Sequence, residues 1–298
     1  MSMLETESMW REYSPKWWQM VQTNFKFVRI LIVPSPITRV LVLTVVADFD
    51  RTLTKFTHRG QVCATCHNVL EEGGLPEEYK EEAYKLRDKY FVIEVDPNMT
   101  IEEKTPYMVE WWTKAHELLM KYPLSKAMLH NMVANSSARL RDGCIRFFDS
   151  LHSNDIPLLI FSAGVGDVIQ EVIAQQSTLY DNMHIVSNFI DFDENGTLIG
   201  FKSDIIHVYN KNENAVHDSD YFPNLSHRTN LLLMGDSLGD LQMANGAESL
   251  EAKLTIGFLN TRVTESLALY ISKYDIVICE DETMDIVNNI VSNILASV

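Results

Sequence analysis

The chain has 298 residues, 46% of them hydrophobic and 22% charged, with a formal net charge of −16 at neutral pH. That length suits a full core with a smaller insert, and the acidity excludes a surface built for nucleic acid or an anionic membrane. Pro34, Pro36, Arg29 and Arg39 interrupt the most apolar region, which falls short of the roughly 20 apolar residues of a spanning helix, and the acidic, tryptophan-bearing N-terminus does not read as a signal peptide, so a cytoplasmic location is expected.

Residues 1–39, with Trp10, Trp17 and Trp18, have no evident core to join and are set apart as an atypical N-terminal segment. The apolar run 40–47, VLVLTVVA, reads as a buried strand and ends in two acids, Asp48 and Asp50. In CATCH, Cys63 to His67, the c-type haem pattern lacks an export signal and a zinc site lacks two further ligands. The favoured reading is a reduced cysteine pair on a helix near the substrate cleft.

From there the chain reads as helical for about 100 residues. PEEYKEEAYKLRDKY opens with Pro76 and places acids early and bases late, which complements the helix dipole. Thr100 and Glu103 form a capping-box pattern, but Pro106 follows and places the start of the next helix near Thr105. A further helical pattern runs through KAMLHNMVANSSARLRDGCIRFFDSLHSN to the strand IPLLIFSAGVGD. Later apolar runs alternate with helical stretches, so the expected fold is α/β with a mainly parallel sheet. A second DFD at 191–193 resembles the opening of a calcium loop, but its twelfth position is Lys202 and Asn195-Gly196 signals a hairpin turn. A surface hairpin is expected there.

Four separated pieces then stand out: D48-F-D50-R-T52, Ser162 in FSAG, Lys211 in YNKNEN, and G-D236-S-L-G-D240. In order and type they resemble the motifs of the haloacid dehalogenase phosphohydrolases. The resemblance implies a Rossmann-like core, 40–55 with 139–298, and a helical cap domain, 56–138. It also implies a magnesium ion (Mg2+) held by Asp48, Asp236 and the backbone carbonyl of Asp50. Asp48 is the implied nucleophile and Asp50 the general acid and base, a spacing of two that returns both side chains to one side of an extended chain. Lys211, Ser162 and the amide of Ala163 would hold phosphoryl oxygens, Thr52 would orient the loop, and Asp240 would support the metal ligands from behind.

The match narrows over DFDRTLTKF, CATCHN, YFVIEVDP, EEKTPYMVEWWTKAH, VSNFIDFDENG and MGDSLGDLQMA, which together resemble the cytosolic 5′-nucleotidase III family. That resemblance implies hydrolysis of a small nucleoside monophosphate, with Glu94 recognising the base, and a monomer is expected. EWWTKAH, with Trp112 and Ala115, is similar to the branch that prefers 7-methylguanosine monophosphate; the pyrimidine branch, acting on CMP and UMP, resembles EWYTKSH. Either Trp111 or Trp112 stacks on the base, or both are core, since Met108, Trp111, Trp112 and Ala115 share one helix face. Phosphoryl transfer to a nucleoside, or nucleotide binding without catalysis, would use the same fold.

Overall fold

Strand β1, Leu43–Ala47, is buried at all five positions. A strand covered on both faces needs apolar side chains on both, so its run is continuous and not alternating. The protein is described by a computed structural model for residues 42–96, 98–211, 227–245 and 250–296. The N-terminal segment 1–39 and the start of the apolar run lie outside those residues.

In the sheet, β1 has β4 (Leu158–Val165) and β5 (Met183–Asn188) on one side. On the other are β8 (Asn230–Gly235), β9 (Ala252–Leu259) and β10 (Ile276–Cys279). The order is β10-β9-β8-β1-β4-β5, and every pairing is parallel. The fold is the expected α/β one. After β1 the chain winds toward β5, then returns to the far side of β1, and at such a reversal a crevice opens beyond the carboxyl ends of the strands. Asp48 and Asp236 directly follow β1 and β8, and Ser162 lies in the second half of β4.

The stretch between β1 and β4 is mostly helical. A short antiparallel hairpin, β2 (Thr57–His58) with β3 (Gln61–Val62), leads into α1 (Cys66–Glu72), α2 (Glu77–Glu94), α3 (Ile101–Leu119) and α4 (Lys126–Asn135). Helix α3 starts at Ile101, earlier than the proline suggests. The Thr100 hydroxyl accepts from the Glu103 amide at 3.2 Å and the Glu103 carboxylate accepts from the Thr100 amide at 2.8 Å. Pro106 costs only the bond to the exposed Glu102 carbonyl, which water can satisfy, and the capping box outweighs it.

The long helical pattern beyond residue 126 divides in two. Helix α4 stops at Asn135, and α5 (Cys144–His152) begins after Gly143, whose φ of +82° is a left-handed conformation that glycine adopts without strain. Between them the chain is extended, with Leu140 bridging Thr54 and Asp142 bridging Thr283. At the second DFD, β6 (Ile190–Phe192) and β7 (Leu198–Phe201) form the expected hairpin. Asp193 there accepts from the amides of Asn195 and Thr197 at 2.9 and 2.8 Å, so its carboxylate is engaged in the turn.

The two faces of the sheet bury different halves of each strand's side chains. Val45, Ala47, Leu158 and Ile160 point into one apolar layer with α1, and Val46, Leu159, Phe161 and Leu233 into the other. Tyr90, Met108 and Trp112, from α2 and α3, join the second layer. Helices α6 (Gly166–Gln176), α7 (Val263–Lys273) and α8 (Asp285–Ala296) complete the chain. Among the described residues no helix is long and apolar enough to cross a membrane.

One buried cation secures the loops at the carboxyl edge. The Arg141 guanidinium, 2% exposed, donates to the carbonyls of Thr52 at 2.8 Å and Arg51 at 2.6 Å, to the Asp281 carbonyl, and to Asn260 Oδ1 at 2.7 Å, and lies 4.3 Å over the Phe258 ring. It ties the loop after β1 to the chain beyond β9 and β10. Arg141→Met, which fills the space and removes the donors, is expected to lower stability by about 3–5 kcal/mol in urea unfolding, because several buried carbonyls lose their partner. A loss below about 1 kcal/mol would show that those carbonyls find other donors.

Candidate active site

The loop after β1 turns sharply. The Phe49 carbonyl accepts from the amides of Leu53 and Thr54 at 2.9 and 3.0 Å, which folds Asp50 to Thr52 back over the sheet edge. Asp48 is 4% exposed and Asp50 half-buried. Lys211, also 4% exposed, donates to Asp48 Oδ1 at 2.5 Å and to Asp240 Oδ1 at 2.8 Å. It is a buried bridge between two carboxylates, not a solvated loop lysine.

Asp240, in the 3₁₀ turn Leu238–Ala244 after β8, uses its other oxygen to accept from the amides of Asp236 and Ser237 at 3.1 and 2.9 Å and from the Ser237 hydroxyl at 2.9 Å. It fixes the backbone on which Asp236 sits. Gly235 makes room, for a Cβ there would lie 2.4 Å from that of Asp240. From the outside, the Tyr270 hydroxyl donates to the Asp236 carbonyl at 2.7 Å and the Tyr274 hydroxyl to the Ser237 carbonyl.

Asp48, Asp236 and Asp240 bring carboxylate oxygens within 4.8 Å of one another. Burial first, and Asp240 and Asp50 with it, push the Asp48 carboxyl up to about 7 against the pull of Lys211. Asp236 is pushed well above the usual carboxylate range by burial and by Asp48 and Asp240. Burial alone would lower Lys211, but Asp240 and Asp48 raise it on balance. Three clustered carboxylates around one ammonium hold excess negative charge, and their hard oxygens suit a hard divalent cation. The donor set therefore fits a metal ion.

Asp50 faces a different element. Its two oxygens accept from the Cys66 amide at 3.0 and 3.2 Å, at the start of α1. Burial raises its carboxyl above the usual range, opposed mainly by His67 and by its bonds to Cys66. Cys66 opens α1, while Cys63 precedes the helix; all four cysteines are free and buried. Cys66 fits because Gly164 has no side chain: a Cβ there would lie 3.0 Å from the Cys66 sulfur.

Ser162 is 1% exposed, and its Oγ accepts from the Gly164 amide at 3.1 Å. The turn is held from behind by Asn188, whose amide donates to the carbonyls of Ala163 at 2.9 Å and Ile206 at 2.8 Å. Thr52 contributes its carbonyl to Arg141, while its buried hydroxyl has no partner among the described residues. The Ala163 carbonyl also accepts from the Trp112 indole N–H at 2.9 Å, joining α3 to this turn. Trp112 stands edge-on to Trp111 at 5.0 Å and to His67 at 6.1 Å, and Trp111 stacks on Tyr90 at 5.9 Å. Ala115 is half-buried one turn further on.

Glu94 ends α2, and its carbonyl accepts from Lys104 at 2.8 Å and from the Tyr209 hydroxyl at 2.8 Å. Burial pushes its carboxyl up to about 7, against the charges of Arg51, Lys104 and Lys211. Asn188, Ser237, Lys104, Tyr209 and Arg51 are thus part of the site's construction without having been singled out by sequence. Only Asn188 carried a signal, a polar Ser-Asn pair ending an otherwise apolar strand.

Known proteins resemble this chain in sequence and share its fold. The profile of the family described as pyrimidine 5′-nucleotidase (UMPH-1) matches residues 51–295. The 7-methylguanosine phosphate-specific 5′-nucleotidase A of Xenopus laevis is 47% identical over 255 residues, covering 85% of this chain and 88% of that protein. The crystal structure of cytosolic 5′-nucleotidase IIIB bound to cytidine matches with a TM-score of 0.82 at 36% identity, covering 90% of this chain and 91% of that one. A phosphoserine phosphatase, solved as a phospho-aspartyl intermediate analogue, shares the fold with a TM-score of 0.52 at 15% identity, covering 83% and 97% of the two chains.

The raised Asp48 carboxyl makes stability depend on pH. Its ordinary value is 3.8 and its folded value about 7, so the fold favours the protonated form. The contribution is whole below about pH 4 and is lost as pH rises through about 7. In EDTA, Asp48→Asn is expected to gain stability over the wild type between pH 5 and pH 8, by about 1 kcal/mol or more in urea midpoints. An advantage that shrinks with rising pH would reverse this assignment.

Proposed function

The chain belongs to the pyrimidine 5′-nucleotidase family and is a phosphoric monoester hydrolase, and from that premise we propose how it acts and on what. It hydrolyses nucleoside 5′-monophosphates to nucleoside and phosphate through an aspartyl-phosphate on Asp48. It works as a cytoplasmic monomer. The observation that carries this reading is the convergence of Asp48, Lys211, Asp236 and Asp240 at the carboxyl edge of the sheet, with Asp50 beside them.

Asp48, Asp236 and the Asp50 carbonyl are the residues that would hold Mg2+. When bound, the ion neutralises the carboxylate cluster and the phosphoryl oxygens so that an anion can approach. The Asp48 carboxylate attacks phosphorus; the bond to the 5′-oxygen breaks, and Asp50, whose burial favours the protonated form, passes its proton to that oxygen. Asp50 then takes a proton from the water that attacks phosphorus and frees Asp48. Lys211, the Ser162 hydroxyl and the Ala163 amide hold the phosphoryl oxygens. The α2–α3 pair, which carries Glu94 and the two tryptophans, covers the nucleoside end as part of the cap over residues 56–138.

In this reading Glu94 accepts from the exocyclic amine of the base, and a cationic base draws its proton off most readily because the carboxyl stands near 7. A stacking indole also favours a cationic purine. These two features favour 7-methylguanosine 5′-monophosphate. The cytidine in the related IIIB structure favours CMP and UMP as the second reading.

Phosphate release from 7-methyl-GMP, CMP, UMP and GMP, with Mg2+ and with EDTA, tests both. Metal-dependent release that falls by about a thousandfold or more in Asp48→Asn is expected; none from any substrate would sink the hydrolase assignment. Trp112→Tyr with Ala115→Ser is expected to shift the kcat/KM ratio severalfold toward CMP, and an unchanged ratio would place the base determinants elsewhere.

A further inference from the structure

We infer that Arg51 is a second substrate-binding cation of this site, whose guanidinium takes anionic oxygens of the phosphate monoester alongside Lys211. Arg51 directly follows Asp50, with φ at +64°, in the left-handed region that a residue with a long side chain seldom occupies. Three bonds keep it there. Its amide donates to the Thr54 hydroxyl at 2.8 Å, and its carbonyl accepts from Arg141 at 2.6 Å and from Asn260 at 3.0 Å. So rigid a backbone fixes where the side chain leaves the chain.

At the other end of that side chain no hydrogen bond is made to the described residues. Its Nε is buried without a hydrogen-bond partner, and among the described residues the guanidinium's contact is the Phe56 ring, 5.3 Å from its carbon. A buried donor without a partner is costly and uncommon in a group that serves structure alone. Arg141 shows the contrast: it spends its donors on four carbonyl oxygens in the same neighbourhood. Both arginines face carboxylates, yet Arg51 forms an ion pair with none of them among the described residues.

The charges locate it. Arg51 acts electrostatically on Asp50, on Asp236 and, more than Lys104 or Lys211 does, on Glu94. It therefore stands between the phosphoryl end and the nucleoside end of the cleft. Lys211 is already bonded to Asp48 and Asp240. A doubly charged monoester entering among Asp48, Asp50, Asp236, Asp240 and Glu94 needs a cation that is not already engaged, and a planar fork of N–H donors matches phosphate oxygens.

The inference rests on the hydrolase reading for its substrate but not for its test. Wild type, Arg51→Gln and Arg51→Lys are titrated calorimetrically with inorganic phosphate, and separately with cytidine, at constant Mg2+. Arg51→Gln is expected to weaken phosphate binding by about tenfold or more, Arg51→Lys by less, with cytidine binding within about twofold of wild type and thermal midpoints unchanged. Unchanged phosphate affinity in both variants, or equal losses for phosphate and cytidine, would overturn it. Because no turnover is read, a wild type that binds phosphate but hydrolyses no nucleotide would count against the nucleotidase reading alone.

Discussion

The contact on which the site depends is the ammonium of Lys211 held between Asp48 and Asp240. A lysine buried alone would shed its proton, and two adjacent buried carboxylates would each tend to gain one. Together, the two acids hold the proton on Lys211, while burial still favours a proton on Asp48. The three residues come from the loop after β1, the turn after β8 and the segment following β7, so one small cluster joins parts of the chain far apart in sequence. The balance is incomplete, because Asp236 adds a third carboxylate with no ammonium of its own. That surplus of hard oxygens suits the site to a divalent cation.

Around this cluster the supporting groups act mostly on main chain. Asp240 accepts amides, Asn188 and Arg141 donate to carbonyls, and Tyr270 donates to the Asp236 carbonyl. Loops at the end of a parallel sheet carry many polar backbone groups that the ladder no longer pairs. Each supporting side chain supplies one or more such missing partners, and in doing so holds a loop in one conformation. Rigidity of the site and satisfaction of buried polar groups are here the same property.

Much of this was legible in the sequence, for definite reasons. The uniform apolar run of β1 announced a strand covered on both faces, and only the carboxyl end of such a strand could expose Asp48 and Asp50 to a cleft. The order of Ser162, Lys211 and Asp236 behind it located the fold's other edges. Local rules did less well where two of them competed: Thr100 and Pro106 gave opposite signals for the start of α3, and only the bonds formed decide between them. The break between α4 and α5 was hidden because residues 138–142 are extended by pairing with Thr54 and Thr283, which no local pattern reveals. Arg141 and Lys104 were invisible for the same reason. Each looks ordinary until the carbonyls it serves are brought beside it.

Asp50 is oriented by the amide of Cys66, a group every residue but proline possesses. The path of the backbone through that position therefore anchors Asp50 alongside the Cys66 thiol, which bonds to the same carboxylate. An engineer who transplanted the four motif segments onto another parallel sheet would import Asp48, Lys211 and the acidic turn, yet leave Asp50 without its anchor. The portable unit is larger than the motif. It includes the turn before α1 and the glycine opposite, Gly164, that lets this turn approach.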